Sequence, residues 1–154
     1  MNSKVIIIAE VGVNHNGSID IAKKLIKSAK SAGADYVKFQ TFSWDTLVTK
    51  KAHKANYQKI NDTYNESQYE MLKRLEIDNS FHLEIYKYSQ EIGIGFLSTG
   101  FTEEDIVYLT KFKMDFIKIP SGEITNYKYL KTACLYFKKV ILSTGMANLN
   151  EIRN

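Results

Sequence analysis

The stretch VIIIAEVGVNHNG, residues 5–17, passes without a break from an apolar segment into a polar turn. Four later segments repeat this pattern: YVKFQTF (36–42), GFLSTGF (95–101), FIKIPSGE (116–123) and VILSTGM (140–146). A strand with such an ending places charged and hydroxyl side chains at the rim of a parallel sheet, where α/β proteins bind ligands. Five such endings in succession predict one site assembled from consecutive strands.

The composition is that of a globular protein. A chain of 154 residues with 44% hydrophobic and 25% charged residues is expected to form one domain with a sizeable core. Its single cysteine, Cys134, excludes an intrachain disulfide framework. The longest apolar run, Val5–Ala9, is too short for a membrane span or a signal-peptide core, so a cytoplasmic protein is expected. The net charge of +4 suits an anionic small molecule or nucleic acid, although lysines on solvated helix faces explain it better.

Helical periodicity fills the intervals between the strands. Strands are predicted at 36–40, 94–99, 116–119 and 140–143 after the first one, and helices at about 18–32, 66–75, 80–92 and 126–138, with another that starts at Thr102. Spacing in the helix at 126–138 predicts that Cys134 lies in the core beside Leu130. Two architectures fit such right-handed βαβ units, an open doubly wound sheet and part of a (β/α)₈ barrel. Periodicity does not separate them.

Residues 41–65 interrupt this order as a long polar insertion, and loops of that length are usually functional or mobile. Its lysine-rich part, 50–59, is a weak candidate for nucleic-acid contact, because charge runs are usually solvated. Neither a phosphate-loop nor a dinucleotide-binding pattern occurs in the chain. Histidine and carboxylate spacing predicts no metal site within it either.

Two lysines at strand positions, Lys38 and Lys118, are the sharpest local signal. Each lies among apolar neighbours, and a buried ammonium group without a partner is costly. Each is therefore expected either to meet an anionic ligand or to pair with a rim carboxylate such as Glu10 or Glu123. The ligand interpretation is favoured, because hydroxyl groups that can donate to phosphate or carboxylate oxygens gather at nearby strand ends. These hydroxyl groups belong to Thr99, Ser121 and Ser143.

Three further polar residues are candidates for chemistry. Glu10, on the first strand, could hold a sugar hydroxyl, move a proton, or form an ion pair with a strand lysine. Glu123, on the loop after Lys118, is a candidate proton carrier, although glutamates are common on loops. His15 lies in the polar turn, where a lone histidine is more often a structural hydrogen-bonding residue than a base.

The motifs AEVGVNHNG, AGADYVKFQTF, FLSTGF, FIKIPSGEITN and VILSTGMANLNEI, in this order, resemble the sialic acid synthase family. This family includes N-acetylneuraminate synthase and the related legionaminate and pseudaminate synthases. The resemblance covers nearly the whole chain, and the combination of motifs is specific although each alone is weak. The insertion LVTKKAHKANYQ is more similar to the neuraminate and legionaminate branch.

The resemblance implies an aldolase-type TIM barrel that condenses phosphoenolpyruvate with an N-acyl-hexosamine such as N-acetylmannosamine, and releases phosphate by C–O cleavage. It implies a divalent metal, manganese or magnesium, that polarises the sugar aldehyde. It places sugar contacts at Glu10 and Gln40, and a proton-managing carboxylate at Glu123. The phosphoenolpyruvate contacts that it implies are Lys38, Thr99, Lys118, Ser121 and Ser143.

The chain departs from the family pattern in two ways. Ser98-Thr99-Gly100 has glycine where the family often has proline, which loosens the turn but leaves Thr99 available. The family barrel also has three more strands, which carry its metal-binding histidines, and many members have a C-terminal antifreeze-like domain and are dimers. We therefore expect about five of eight βα units here, no metal ligands, and weak or no synthase activity from the chain alone. The alternatives are a non-catalytic anion-binding module and an inactive gene fragment.

Overall fold

Parallel strands alternate with helices in the computed structural model, which describes residues 5–49 and 66–153. The strands are β1 (Ile8–Gly12), β2 (Tyr36–Thr41), β3 (Gly95–Gly100), β4 (Ile117–Ile119) and β5 (Val140–Leu142). The helices are α1 (Ile19–Ser31), α2 (Trp44–Leu47), α3 (Gln68–Leu75), α4 (Asn79–Glu91), α5 (Glu103–Leu109), α6 (Tyr127–Tyr136) and α7 (Leu149–Arg153), with a 3₁₀ turn at Ser121–Glu123. The predicted α/β class is confirmed. The lysine-rich stretch 50–59 lies outside the described residues.

The strands form two parallel groups. β1, β2 and β3 pair in that order, and β4 pairs with β5, while β4 lies beside β3. The register sets Glu10 opposite Lys38, and Gln40 opposite Thr99. Because all pairs are parallel, the carboxyl ends of the strands meet at one edge, as the repeated apolar-to-polar pattern predicts.

Polar side chains at the helix N-termini fix where the helices begin. Ser18 accepts from the backbone of Ile21 at the start of α1, and Asp78 accepts from Phe81 at the start of α4. The predicted T-x-x-D start is a complete capping box, in which Thr102 and Asp105 each accept from the other's backbone N–H. Each cap satisfies an N–H group that the helix leaves unpaired, for about 1 kcal/mol.

Aromatic and aliphatic side chains between the strands and helices form the core. Phe39 of β2 stacks against Phe96 of β3, and Phe112, just after α5, packs against Phe96. Helix α1 contributes Ala22 and Ile26 to the same core, both fully buried. Burial of each large apolar side chain stabilises the fold by roughly 1.5–3 kcal/mol. The core therefore holds β1–β3 firmly beneath the polar edge.

The prediction that Cys134 lies in the core is wrong, because the structure leaves it exposed. Helix α6 buries Ala133, and Phe137 directly after the helix is also buried, as predicted. Tyr129 is the third buried side chain of this stripe, and Leu130 is only partly buried. A buried tyrosine is acceptable at this position because its hydroxyl finds a partner, the carbonyl oxygen of Gly100.

The sequence predicts no membrane span, because its longest apolar run is short. Among the described helices, none has both the length and the apolar character that a bilayer crossing requires.

Candidate functional site

An ion pair between Glu10 of β1 and Lys38 of β2 lies at the centre of the polar edge. The Lys38 Nζ is 2.7 Å from the Glu10 Oε2, as the parallel register of the two residues allows. The Lys38 side chain is 8% exposed, whereas that of Glu10 is 51% exposed. Lys38 also donates to the Thr99 Oγ1 at 3.2 Å. The carboxylate pairing that the sequence left open is thus present, with a hydroxyl group as the second partner.

Gly12 shapes the floor of this cluster. The pairing of β1 with β2 shifts register between Glu10 and Gly12, and Gly12 has a φ of +53°. A Cβ atom there would lie 3.1 Å from the Glu10 Oε1 and 3.4 Å from the Gln40 Nε2. The missing side chain therefore gives room to both polar groups, as irregularities of this kind often do beside binding sites.

Lys118 of β4 extends the positive charge of the site. The sequence suggested a buried ammonium group, but the side chain is only partly buried. Burial is the largest cause that lowers its pKa, the ammonium of Lys38 lowers it further, and Glu10 opposes both. Since two ammonium groups act on each other and on one carboxylate, the cluster has an excess of positive charge. Within residues 5–49 and 66–153, no carboxylate forms an ion pair with Lys118.

The loops after β4 and β5 meet at Ser121 and Gly145. A Cβ atom on Gly145 would lie 3.4 Å from the Ser121 Oγ, and the backbone N–H of Ser143 donates to the carbonyl oxygen of Ile119 at 3.1 Å. Ser121 begins the 3₁₀ turn that follows the Lys118 strand. Two of the predicted hydroxyl donors, Ser121 and Ser143, therefore follow adjacent strands at the same edge.

Glu123 ends that 3₁₀ turn and faces α6. Its Oε2 accepts from the Asn126 Nδ2 at 2.7 Å, an exposed contact. Its charge also reaches Tyr129, whose pKa is raised first by burial and then by Glu123. The structure thus brings Glu10, Lys38 and Thr99 into direct contact, and Glu123 makes its hydrogen bond to Asn126 instead.

A buried chain of hydrogen bonds beneath the site was not anticipated from the sequence. The Thr41 Oγ1 is 2.8 Å from the His82 Nε2 and 2.7 Å from the Ser98 Oγ, and the His82 Nδ1 is 3.0 Å from the carbonyl oxygen of Asp78. A carbonyl oxygen only accepts, so Nδ1 carries the proton, Nε2 accepts from Thr41, and Thr41 accepts from Ser98. Burial lowers the pKa of His82 to about 4, which keeps this arrangement neutral. Strand alternation is the signal that places Ser98 on the helix side of β3, opposite Thr99.

His15 has a structural role, as the sequence favoured. It is fully buried against the ring of Phe81, and its Nδ1 accepts from the backbone N–H of Gly17 at 3.0 Å. Burial, followed by repulsion from His82, lowers its pKa to about 4. Its Nε2 has no hydrogen-bond partner within the described part of the chain. A neutral imidazole enclosed in this way closes the turn after β1.

The divalent metal that the family resemblance implies has no set of ligands among the residues that the structure describes. Across residues 5–49 and 66–153, no group of three or more His, Cys, Asp or Glu side chains has a geometry that could hold a metal ion. Glu10, the best-placed carboxylate of the site, is already bound to Lys38. These residues therefore do not fit a metal centre, and no metal-dependent step is assigned to them.

Comparison with known proteins extends these observations. Residues 25–154 match the model of the NeuB family. The chain is 50% identical over 147 residues to an N,N'-diacetyllegionaminic acid synthase of Legionella pneumophila, covering 96% of this chain and 41% of that protein. It is 49% identical over 149 residues to the synthase of the same name from Campylobacter jejuni, covering 97% and 45%.

A solved structure agrees with the sequence comparison. The fold superposes on the N-acetylneuraminic acid (sialic acid) synthetase of Leptospira borgpetersenii, solved in complex with citrate, with a TM-score of 0.79 and 29% identity over 99% of this chain and 48% of that one. The chain thus spans less than half the length of the relatives it matches. The chain belongs to the NeuB family, the sialic acid synthases, as the order of its strand-end motifs predicted.

Proposed function

We propose that this protein condenses phosphoenolpyruvate with an N-acyl-hexosamine to give a sialic acid-type nonulosonate and phosphate. The observation that carries this proposal is the excess of positive charge at Lys38 and Lys118, with the hydroxyl group of Thr99 bonded to Lys38. Phosphoenolpyruvate has about three negative charges at neutral pH, and fixed cations with hydroxyl donors replace the water that it loses on binding. The names of the relatives support the reaction class.

The residues divide into an anion side and a sugar side in this proposal. Lys38, Thr99, Lys118, Ser121 and Ser143 hold phosphoenolpyruvate. Glu10 and Gln40, whose polar atoms both approach Gly12, accept and donate hydrogen bonds at the sugar side. Glu123 manages a proton near the reacting carbons, and its half-buried position on the turn after β4, with an exposed bond to Asn126, leaves its carboxylate accessible to a bound sugar.

The remaining features follow from the family. We infer that these residues form about five of the eight βα units of an aldolase-type TIM barrel. In the whole synthase a manganese or magnesium ion would polarise the sugar aldehyde from ligands that the described residues do not supply. A homodimer and a cytoplasmic site of action complete the proposal, since phosphoenolpyruvate is a cytoplasmic metabolite.

Titration calorimetry with phosphoenolpyruvate tests the anion side. We expect binding to the wild-type chain and its loss in Lys118→Ala, because that change removes the cation with no carboxylate partner among the described residues. Lys131→Ala is the matched control, since Lys131 is an exposed lysine on α6. Equal binding by all three proteins would refute the assignment of Lys118.

Turnover separates this function from a second candidate, an anion-binding module without chemistry. The lack of a metal donor set among residues 5–49 and 66–153 favours the second candidate for the chain on its own. We expect phosphoenolpyruvate binding but little phosphate release when the chain is given manganese and a mono- or di-N-acetylated hexosamine. Phosphate release at the rate of a full-length synthase would show that the chain is catalytically sufficient.

A further inference from the structure

The principal cation of the anion side is already neutralised in the free chain. The Lys38 ammonium has two partners, the Glu10 carboxylate at 2.7 Å and the Thr99 hydroxyl at 3.2 Å. Any incoming phosphate or carboxylate group that binds Lys38 directly meets a negative charge at its binding position. A bound anion and Glu10 therefore compete for the same ammonium group, because like charges at contact distance repel each other strongly.

The two members of the pair differ in their freedom to move. The Lys38 side chain is 8% exposed and is also held by Thr99 on the neighbouring strand. The Glu10 side chain is 51% exposed, and the only described cation to which it is bound is Lys38. The Glu10 Oε1 lies 3.1 Å from the position that a Cβ atom on Gly12 would take, so only glycine leaves room for the carboxylate here. Displacement of Glu10 costs less than displacement of Lys38, because the carboxylate regains water as it leaves.

We infer that Glu10 is an internal competitor of the anionic substrate. In the free chain its carboxylate occupies Lys38 and spares a buried ammonium group the cost of having no counter-ion. When phosphate or carboxylate oxygens arrive, they replace Glu10 at Lys38, and the freed carboxylate is released on the same edge. Binding of the anion thus makes an acceptor available for a second, hydroxyl-bearing substrate. This inference rests on the proposed function, whose anion and sugar sides it links.

The inference predicts whether a substitution of Glu10 raises or lowers the affinity for phosphoenolpyruvate. Glu10→Gln keeps the shape of the side chain but removes the competing charge, so the affinity for phosphoenolpyruvate should rise by about tenfold, which corresponds to about 1.4 kcal/mol of relieved charge repulsion. If Glu10 only orients Lys38, the same change lowers the affinity. Glu10→Asp is the second variant, because it keeps the charge and withdraws the carboxylate by one methylene group. Its affinity should lie between those of the other two proteins.

The experiment is titration calorimetry of the full chain with phosphoenolpyruvate and, separately, with inorganic phosphate. Glu84→Gln is the control for net charge, since Glu84 pairs with Lys23 on the outer helices. Circular dichroism establishes that each variant is folded. Tighter binding of either anion by Glu10→Gln, with Glu84→Gln equal to wild type, supports the inference.

The remaining outcomes distinguish this inference from the proposed function. Binding of inorganic phosphate alone, tightened by Glu10→Gln, would support internal competition and count against phosphoenolpyruvate as the substrate. Phosphoenolpyruvate binding that Glu10→Gln weakens or leaves unchanged would overturn internal competition, and the proposed function would stand. Absence of anion binding in the folded wild type and in the folded Glu10→Gln protein would overturn both.

Discussion

The hydroxyl group of Tyr129 donates a hydrogen bond of 2.7 Å to the carbonyl oxygen of Gly100, the last residue of β3. Both groups are buried, so the bond links helix α6 to the strand end that presents Thr99. The same bond satisfies the hydroxyl group of a tyrosine that helix α6 places fully inside the core.

Tyr129→Phe tests this bond. Loss of the hydroxyl leaves a buried carbonyl oxygen without its donor, so the free energy of unfolding should fall by about 1–3 kcal/mol. Urea unfolding monitored by circular dichroism measures the change. Tyr127→Phe, two residues away on the same helix and 74% exposed, should be neutral. Equal effects of the two changes would show that the bond contributes nothing.

The same tyrosine gives the fold an alkaline limit. Burial and the nearby carboxylates raise the pKa of Tyr129 above its ordinary value of about 10, so the unfolded chain loses this proton before the folded one does. The contribution to stability is therefore full below about pH 10 and decreases as the pH rises toward the folded-state pKa. Tyr129→Phe should remove that part of the alkaline loss in pH-dependent unfolding, whereas an unchanged profile would contradict it.

Gly12→Ala tests whether the site needs the space that the missing side chain of Gly12 leaves for Glu10 and Gln40. A side chain at a φ of +53° costs roughly 1–2 kcal/mol wherever it occurs, and here its Cβ also lies 3.1 Å from the Glu10 Oε1. Gly33→Ala is a matched control, because Gly33 has a φ of +83° and nothing within 4 Å of the added atom. Both variants should lose stability in urea, but only Gly12→Ala should change the affinity for phosphoenolpyruvate. A change of affinity in both would show that the effect is not local.

Two buried histidines make the fold sensitive to acid. The pKa values of His15 and His82 are about 4 in the folded chain, below the ordinary value of about 6.5. Between these values the unfolded chain binds more protons, so stability falls as the pH is lowered from 6.5 and the loss is complete below about 4. Protonation of each histidine lowers the free energy of unfolding by up to about 3 kcal/mol over this range.

A single substitution measures the share of one histidine. His82→Gln retains a side-chain partner for Thr41 but does not titrate, so the slope of unfolding free energy against pH between 4 and 6.5 should fall by about half. Chemical denaturation at a series of pH values gives this slope. An unchanged slope would mean that His82 takes up its proton over the same pH range in the folded and unfolded chains, contrary to the lowering of its pKa by burial.

The sequence could predict the residues at the strand ends, but not the contacts that the strands make with the helices on their other face. The lysines stand out because an ammonium group among apolar neighbours needs a partner, and strand ends place their side chains at one edge. Thr99 stands out in the same way, whereas Ser98 lies on the opposite face of the strand, where alternate positions point away from the site. Its bond to Thr41, and through Thr41 to His82, depends on how α4 packs, which local sequence does not encode.

Lys118 offers a test of charge coupling within the site. Its pKa is lowered by burial and by Lys38 and is supported by Glu10, so an amine-acylating reagent should modify it at lower pH than the exposed Lys131. Glu10→Gln should lower the pKa of Lys118 further, since the supporting charge is gone. Labelling is carried out at pH values from about 7 to about 11, a range that includes the ordinary lysine pKa. Mass spectrometry then measures the extent of acylation of both lysines in each sample. Identical profiles for Lys118 and Lys131 would contradict the coupling.

The outer edge of β5 tests the proposal of an incomplete barrel. β5 pairs with β4 on one side, and none of the other described strands pairs with its second edge, while Ile141 and Leu142 are 39% and 38% exposed. Unpaired backbone groups beside apolar side chains favour pairing with another chain, so the 154-residue chain should associate as its concentration rises. Ile141→Lys should reduce association in sedimentation velocity, because a charge on an edge strand opposes pairing.

Leu135→Lys is the control for this variant: at a 76% exposed position on α6, it should leave the association unchanged. A wild-type chain that remains monomeric at high concentration would mean that this edge is not an open barrel strand.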